Sequence, residues 1–388
     1  MLKKIKHLLS IILFLSFFYP QWSMWANPSL PVGNSDRGVG LGAGEIMLFA
    51  DLNYQNFEWW HEQVQGAIIP GTDEEENFEH WGQFNNRSLN LGLTIGLNDY
   101  WNLSVSQLIS ERCMDWEGPV FTGDEAYFDS EIHEIGGSKS VHHRTECSSS
   151  DFKDGDNQIA FGGYLGDTRI NLKYLLYNQG KGPGNRIFVG GGLLIPSSYT
   201  ISESPWVKSD HDDNPLTEDT YTPHRHFYLS DGTYKMHAEI QFFKKRIKKP
   251  VFIGGTIAAS WPLNESKYGF KPSTNYEISF MALTGPLKKT ETSLPFELSS
   301  IGFNFTAAYS GPSDWDGVRT PNSEAIMYIP GVSFLFGSKV GTFGISIQKG
   351  YEDYLQKSPT DIEETNEIYA ISISYRKLLD KVIDRLYW

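Results

Sequence analysis

Charged and amide side chains recur at every second position along several extended stretches of the sequence. In the stretch LGDTRINLKYLLYN, Arg169, Asn171 and Lys173 alternate with Ile170 and Leu172. Because successive side chains of a β-strand point to opposite faces, such a strand has one apolar face and one face that carries charge. The chemistry that these residues offer is binding or repulsion of solutes by charge and by hydrogen bonds, provided that the polar faces gather around a common interior.

The same alternation assigns a set of acids, bases and amides to the inward face of a closed sheet. Rings of opposite charge in such an interior would set up a transverse field and constrict a pore. The alternative is that these side chains pair with one another and fill the interior, which would close it. The predicted lumen-lining residues are Asp51, Asn53, Arg169, Asn171, Lys173, Lys235, His237, Glu239, Gln241, Glu277, Asn304 and Gln348.

Two long polar stretches contain imidazoles and carboxylates that could bind a transition metal. Their spacing matches no standard ligand pattern, so we predict neither a metal site nor a cofactor. The acidic run at 73–76 is interpreted as a solvated charge run rather than as a weak Ca²⁺ site. The residues considered are His133, His142, His143, His211, Asp212, Asp213, His224 and His226.

The two cysteines, Cys113 and Cys147, are not part of a CxxC motif, which argues against a haem attachment site or a zinc ribbon. In an exported protein we predict a disulfide between them, which by chain entropy would contribute roughly 3 to 4 kcal/mol to the order of the loop. The sequence contains neither GxSxG nor HExxH, and we predict no enzymatic activity.

The N-terminus reads as an export signal. Three lysines precede an apolar core of about a dozen residues, shorter than the roughly 20 that a spanning helix needs, so residues 1–26 are predicted to be a cleaved signal peptide. The Pro- and Gly-rich residues 27–44 are predicted to be a flexible segment that hangs in the periplasm or folds into the barrel as a plug. No later stretch is apolar for long enough to form a transmembrane helix.

Residues 45–377 contain twelve alternating stretches, which we predict to be the strands of a transmembrane antiparallel up-and-down β-barrel. Connections after odd-numbered strands are long and acidic, whereas those after even-numbered strands are shorter and mostly basic. That order is typical of a barrel with long extracellular loops and short periplasmic turns. Residues 378–388 are predicted to form a short amphipathic helix, with another strand as the alternative.

Closure of the sheet follows from the cost of an open edge in hydrocarbon, where an unpaired backbone group costs several kcal/mol. Strands of ten to twelve residues at about 3.3 Å each, tilted near 40°, span about 25 Å, which matches the apolar band of an outer membrane. On the apolar face of the last strand, Tyr369 and Tyr375 are predicted to lie near the two interfaces. The alternative is that they are ordinary core tyrosines.

The composition agrees with this fold. The chain has 14% aromatic residues, 37 glycines and a net charge of −14. These values suit a barrel, whose apolar residues occupy every second position of the strands and are diluted by polar loops. The acidic balance, without a basic stripe interleaved with aromatics, argues against nucleic acid as a partner. The expected partners are outer-membrane lipid and a small-molecule cargo, and the oligomeric state stays open.

Three motifs carry a resemblance to a known family. LGDTRINLKYLLYN, the glycine-rich VGGGLLIP and HRHFYLSDGT resemble outer-membrane barrel transporters grouped with the meta-pathway of phenol degradation, which are distantly similar to long-chain fatty-acid transporters. The resemblance covers residues 159–243 and the overall layout. It implies passage of small hydrophobic molecules across the outer membrane.

The sequence therefore predicts an outer-membrane channel or transporter for small molecules, apolar or aromatic ones if the family resemblance holds. The alternative is a structural or surface-interaction barrel with a closed lumen, whose outer loops bind a partner or a metal. A third interpretation, a soluble periplasmic β-protein, predicts recovery without detergent.

Overall fold

The computed structural model describes twelve long antiparallel strands that close into one barrel. The described residues are 40–63, 67–68, 75–76, 78–121, 165–179, 183–198, 200, 229–285, 296–319, 323–338, 340–355, 361–379 and 383. Within them no helix has both the length and the apolar character needed to cross a membrane.

The barrel strands are numbered β1 to β12 in chain order. They are β1 Ile46–Gln63, β2 Phe78–Gly96, β3 Trp101–Phe121, β4 Leu165–Asn178, β5 Gly184–Ile195, β6 Lys235–Lys245, β7 Phe252–Pro262, β8 Asn275–Leu283, β9 Phe296–Ser310, β10 Ala325–Ser338, β11 Gly341–Tyr354 and β12 Asp361–Leu379.

Each strand pairs with the next one in the chain, and β1 closes the sheet by pairing with β12 from Ile46↔Leu379 to Gln63↔Asp361. The prediction of a twelve-stranded up-and-down barrel is therefore confirmed. Closure leaves no barrel strand with an open edge, which is the requirement for a sheet surrounded by lipid.

Four of the strands extend well beyond the alternating pattern of the sequence. The polar, acidic interval 59–86 contributes strand residues at both of its ends, since β1 runs to Gln63 and β2 starts at Phe78. β12 starts at Asp361, ahead of the alternation that begins near Glu367. β3 continues past Cys113 to Phe121. Beyond the membrane both faces of a strand meet water, so backbone pairing continues there without an apolar face that the sequence pattern could reveal.

The outward face is apolar and exposed. Along β1 the exposed Leu48 and Leu52 alternate with the buried Met47, Phe49 and Asp51. The same pattern continues around the barrel, with exposed outward residues such as Leu91, Ile240, Ile257, Ile278, Phe303, Ile347 and Ile371. A surface of this kind is stable only against hydrocarbon.

Aromatic pairs mark both ends of the apolar surface. At the end where the barrel begins and finishes, the rings of Trp101 and Tyr174 lie 4.7 Å apart and those of Phe343 and Tyr375 lie 4.9 Å apart. At the other end the Tyr276 ring lies 6.1 Å from the Tyr309 ring on β9. Girdles of aromatic rings are the usual boundary between lipid and water in such barrels.

The predicted terminal segments are described in part. β12 ends at Leu379, and the backbone N–H of Ile383 donates to the Gly44 carbonyl over 2.9 Å. The signal peptide, residues 27–39 and the remainder of 378–388 lie outside the described residues, so these boundaries stay predictions.

Candidate functional site

The candidate site is the inward face of the barrel. Each of the twelve predicted lumen residues lies on the face opposite the exposed apolar one. Arg169, Glu277 and Asn304 are half-buried and the other nine are buried. Their role in lining a transport path stays a prediction.

Bare glycines on β5 bring side chains of β4 and β6 together across the intervening strand. A Cβ atom added at Gly190 would lie 2.9 Å from Glu239 Cγ, and one added at Gly192 would lie 2.2 Å from the Ile170 carbonyl oxygen and 3.1 Å from Asn171 Oδ1. Because β5 carries no inward side chain at these two positions, polar groups two strands apart make direct contact above it. We call this group the charged wall; it comprises Arg169, Asn171, Lys173, His237, Glu239 and Gln241.

Glu239 is the centre of the charged wall. Its carboxylate accepts hydrogen bonds from Asn171 Nδ2 and from Gln241 Nε2, each over 2.9 Å. The Lys173 ammonium lies 4.0 Å from the same carboxylate, and both side chains are almost inaccessible. A buried carboxylate with this many donors is held in one position.

A second contact of the charged wall joins Arg169 to His237. The Arg169 Nη2 donates to His237 Nε2 over 2.6 Å, so the imidazole accepts through Nε2. No described carboxylate lies within 4 Å of Arg169. The wall therefore holds two permanent cations, Arg169 and Lys173, around one carboxylate.

The extracellular end of the charged wall continues into the start of β6. Lys235 forms an ion pair with Asp231, and Asp167 Oδ1 accepts from the Ser197 backbone N–H over 3.2 Å. Thr233, between the two partners of the ion pair, is completely buried. These contacts fix the chain that enters β6 against the interior.

The opposite side of the barrel is built differently. A Cβ atom at Gly331 would lie 2.4 Å from Asn304 Oδ1 and 2.6 Å from Gln348 Cγ, so amides from β9 and β11 meet above β10. Asn304 Nδ2 donates to Ser346 Oγ over 3.3 Å, and Ser333 Oγ donates to the same oxygen over 3.1 Å.

Apolar side chains complete this side. Ile329 and Ile368 are 1% and 0% exposed and lie on either side of Gly350. We call the group the neutral wall; charged residues lie at its two ends, Glu352 and Arg376, and its members are Asn304, Ile329, Gly331, Ser333, Ser346, Gln348, Ile368, Ala370 and Ser372.

Between the two walls, β1 to β3 carry a ladder of amides and hydroxyls that the sequence pattern missed. Asn86 Nδ2 donates to Gln55 Oε1 over 2.7 Å, and Ser110 Oγ donates to Asn86 Oδ1 over 2.6 Å. Two buried rings, Phe57 and Phe84, pack edge to face with 5.8 Å between their centroids. Phe84 and Asn86 lie in 78–86, where apolar and polar residues do not alternate, so the sequence pattern contains no signal for them.

The first described residues, 40–44, cross the inner wall at the periplasmic end. The Leu41 backbone N–H donates to Asn102 Oδ1 over 2.9 Å, and Asn102 Nδ2 donates back to the Leu41 carbonyl over 3.2 Å. Leu41 is buried with Met47 and Phe49. Gly40 approaches the Phe188 ring so closely that a Cβ atom would lie 3.2 Å from it. This part of the predicted N-terminal segment therefore lies inside the barrel mouth.

Several buried polar atoms of the interior have no hydrogen-bond partner among the residues that the structure describes. They are Oδ1 of Asn53, Asn171 and Asn304, Oε1 of Gln348, Nε of Arg169 and Oγ1 of Thr233. They lie on β1, β4, β9, β11 and just before β6, so they are spread around the barrel rather than collected at one defect.

The loop predictions mostly fall outside the described residues. Cys147, the eight histidines and carboxylates considered for a metal, and Asp73 and Glu74 lie there, so the disulfide stays a prediction. Among the residues that the structure describes, no group of three or more metal-binding side chains occurs.

The closed sheet, its apolar outward face and its polar inward face define the class of this protein. It is a transmembrane β-barrel of the bacterial outer-membrane type, and it resides in the outer membrane.

No protein-family model and no curated protein matches the sequence. Among solved structures, the chain is similar to an outer membrane channel from Pseudomonas putida F1 at 11% identity and a TM-score of 0.44, with 87% of this chain and 97% of that chain covered. It is also similar to the CymD monoaromatic hydrocarbon channel, at 11% identity, a TM-score of 0.35 and coverage of 88% and 90%.

A FadL homologue from Pseudomonas aeruginosa is similar at 8% identity and a TM-score of 0.36, with 86% of this chain and 90% of that chain covered. The barrel of this chain is defined by its own strand pairing.

Proposed function

We propose that the protein is an outer-membrane channel that passes small molecules through the barrel interior. The observation that carries this proposal is the set of buried polar atoms on the inward face that have no partner in the described part of the chain, which includes Asn53 Oδ1, Asn304 Oδ1 and Gln348 Oε1. In a finished protein core nearly all such atoms are paired, because each unpaired one costs about 1 to 3 kcal/mol. Their spread around the barrel is the arrangement expected where water or a solute completes the hydrogen bonds.

The two walls differ in charge, which would orient a cargo. Asn304, Ser333 and Ser346 are half-buried and carry no charge on one side, while the half-buried Arg169 offers charge on the other. A molecule between them would place its uncharged part against the neutral wall and any polar substituent toward Arg169 of the charged wall. The resemblance of the sequence motifs to transporters of hydrophobic molecules agrees with this cargo.

A matched pair of substitutions on neighbouring residues tests the proposal. Ala370 is buried on the inward face and Ile371 is exposed on the lipid face of the same strand. In proteoliposomes, wild-type protein is expected to admit small solutes and cause swelling. Ala370→Trp should slow swelling because the indole occupies the interior, whereas Ile371→Trp should leave it unchanged.

Folding of each variant is checked by the shift in gel mobility between heated and unheated samples. Absence of swelling with folded wild-type protein, or equal swelling with both variants, contradicts the channel. Those results favour the alternative of a closed barrel that acts through its outer loops, which deletion of residues 122–146, after the end of β3, would then test.

A further inference from the structure

The turn that joins β6 to β7 is strongly basic in an acidic protein. It holds five cations in six consecutive positions, in a chain whose net charge is −14. Four of the five are exposed. The basic turn is defined by Lys244, Lys245, Arg246, Ile247, Lys248 and Lys249.

Its position places these charges at the edge of the lipid-facing surface. On β6 the outward column of Ile240 and Phe242, 52% and 41% exposed, continues directly into Lys244. Lys244 is paired with Ile253 of β7, and Ile257 extends the apolar column on that strand. Positive charge therefore begins where the hydrocarbon-facing surface ends.

The tip of the basic turn presents an apolar side chain. Ile247 is 85% exposed although it lies between Arg246 and Lys248. The turn is held in shape by the backbone N–H of Arg246, which donates to the Val251 carbonyl over 2.6 Å. An exposed aliphatic residue between cations is the arrangement of segments that bind the interfacial region of an anionic membrane.

The turn faces the periplasm. It lies at the end of the barrel where β1 begins and β12 finishes, together with the short connection 97–100. In outer-membrane barrels this end carries the short periplasmic turns. The lipid that surrounds the barrel at this level is the phospholipid of the inner leaflet.

We propose that the basic turn is a binding site for anionic phospholipid, with the lysines on the headgroup phosphate and an acyl chain along Ile240, Phe242 and Ile257. Charge complementarity selects this occupant, because the cluster has no described carboxylate paired with it and adjoins the exposed apolar column of Ile240 and Phe242. The proposal does not depend on whether the lumen conducts.

Purified full-length protein in detergent, mixed with equal amounts of phosphatidylglycerol and phosphatidylcholine, provides the test. Native mass spectrometry counts the retained lipids of each kind. Wild-type protein is expected to retain phosphatidylglycerol about tenfold over phosphatidylcholine. Because the interaction is electrostatic, 0.5 M NaCl should reduce that preference.

Two variants with the same change of net charge distinguish lipid binding at the basic turn from a general effect of the protein's charge. The first replaces the four lysines of the turn with glutamine, and the second places Arg87→Gln, Lys267→Gln, Lys271→Gln and Arg319→Gln at exposed positions nearer the other end. The lipid preference should disappear in the first variant and persist in the second.

The proposal is overturned by any of three results. They are equal retention of both lipids by wild-type protein, an unchanged preference in the lysine variant, and an equal loss in both variants. Each of these would identify the turn as a solvated charge run.

Discussion

The charged wall and the neutral wall both bring side chains together across an intervening strand, but the side chains that meet are chemically different. Each places polar side chains from two strands above a glycine on the strand between them, Gly192 on β5 and Gly331 on β10. On the charged wall the bridging groups form a salt bridge and carboxylate hydrogen bonds, whereas on the neutral wall they are amides and hydroxyls. Inward glycines therefore make the cross-strand contacts possible, and the residues on the two flanking strands determine whether those contacts are charged.

The two walls also differ in which atoms an added Cβ would meet at the central glycine. An added Cβ at Gly192 would lie 2.2 Å from a backbone carbonyl oxygen, while one at Gly331 would meet Asn304 Oδ1 and Gln348 Cγ before the Ile347 carbonyl oxygen at 3.0 Å. Backbone in a closed sheet cannot move aside, whereas an amide side chain can rotate. The charged wall is therefore the more rigid of the two, and substitutions there should change stability more.

The largest expected effect comes from removing the central carboxylate. Glu239→Gln keeps the volume of the side chain but leaves the buried Lys173 ammonium facing a neutral amide, so the free energy of unfolding should fall by about 3 kcal/mol or more. Urea unfolding in detergent measures it. Pairing the change with Lys173→Met should recover much of the loss, and a decrease below about 1 kcal/mol would show that the charges are not coupled.

A smaller effect is expected from filling the glycine positions. Gly192→Ala should lower stability by about 1 to 3 kcal/mol because the methyl group collides with backbone, and Gly331→Ala should cost less. Gly191→Ala is the matched control, since its Cβ would lie 3.4 Å from the nearest atom. If Gly192→Ala and Gly191→Ala unfold at the same urea concentration, the methyl group at position 192 does not collide with the backbone of β4.

The smallest effect is expected on the neutral wall. Asn304→Ala removes one long hydrogen bond to Ser346 and an Oδ1 that has no protein partner, so stability should change by less than about 1 kcal/mol. The same unfolding experiment reports it. A loss as large as that of Glu239→Gln would abolish the distinction between the walls.

The sequence predicts the twelve strands and the inward residues because hydrocarbon outside and polar groups inside impose a period of two. Asp51, Lys173 and Gln348 fall on the inward face for that reason. Where the strands leave the membrane, as in 78–86, no apolar face is required and the pattern gives no signal.

The cross-strand contacts could not be predicted from the sequence. The bond between Asn171 and Glu239 joins residues 68 positions apart on strands that are not neighbours. It depends on two pairing registers, β4 with β5 and β5 with β6, and on the bare Gly190 and Gly192 between them. A glycine in a strand indicates a close approach but does not identify what approaches.

Current through the purified protein in a planar lipid bilayer shows whether the barrel interior conducts. We expect discrete current steps, with an anion-to-cation preference that falls in Arg169→Gln, where the charged wall loses a cation, and stays unchanged in Ser346→Ala on the neutral wall. Folded protein that gives no steps, or the same ion preference in all three proteins, would contradict a conducting interior organised by these two walls.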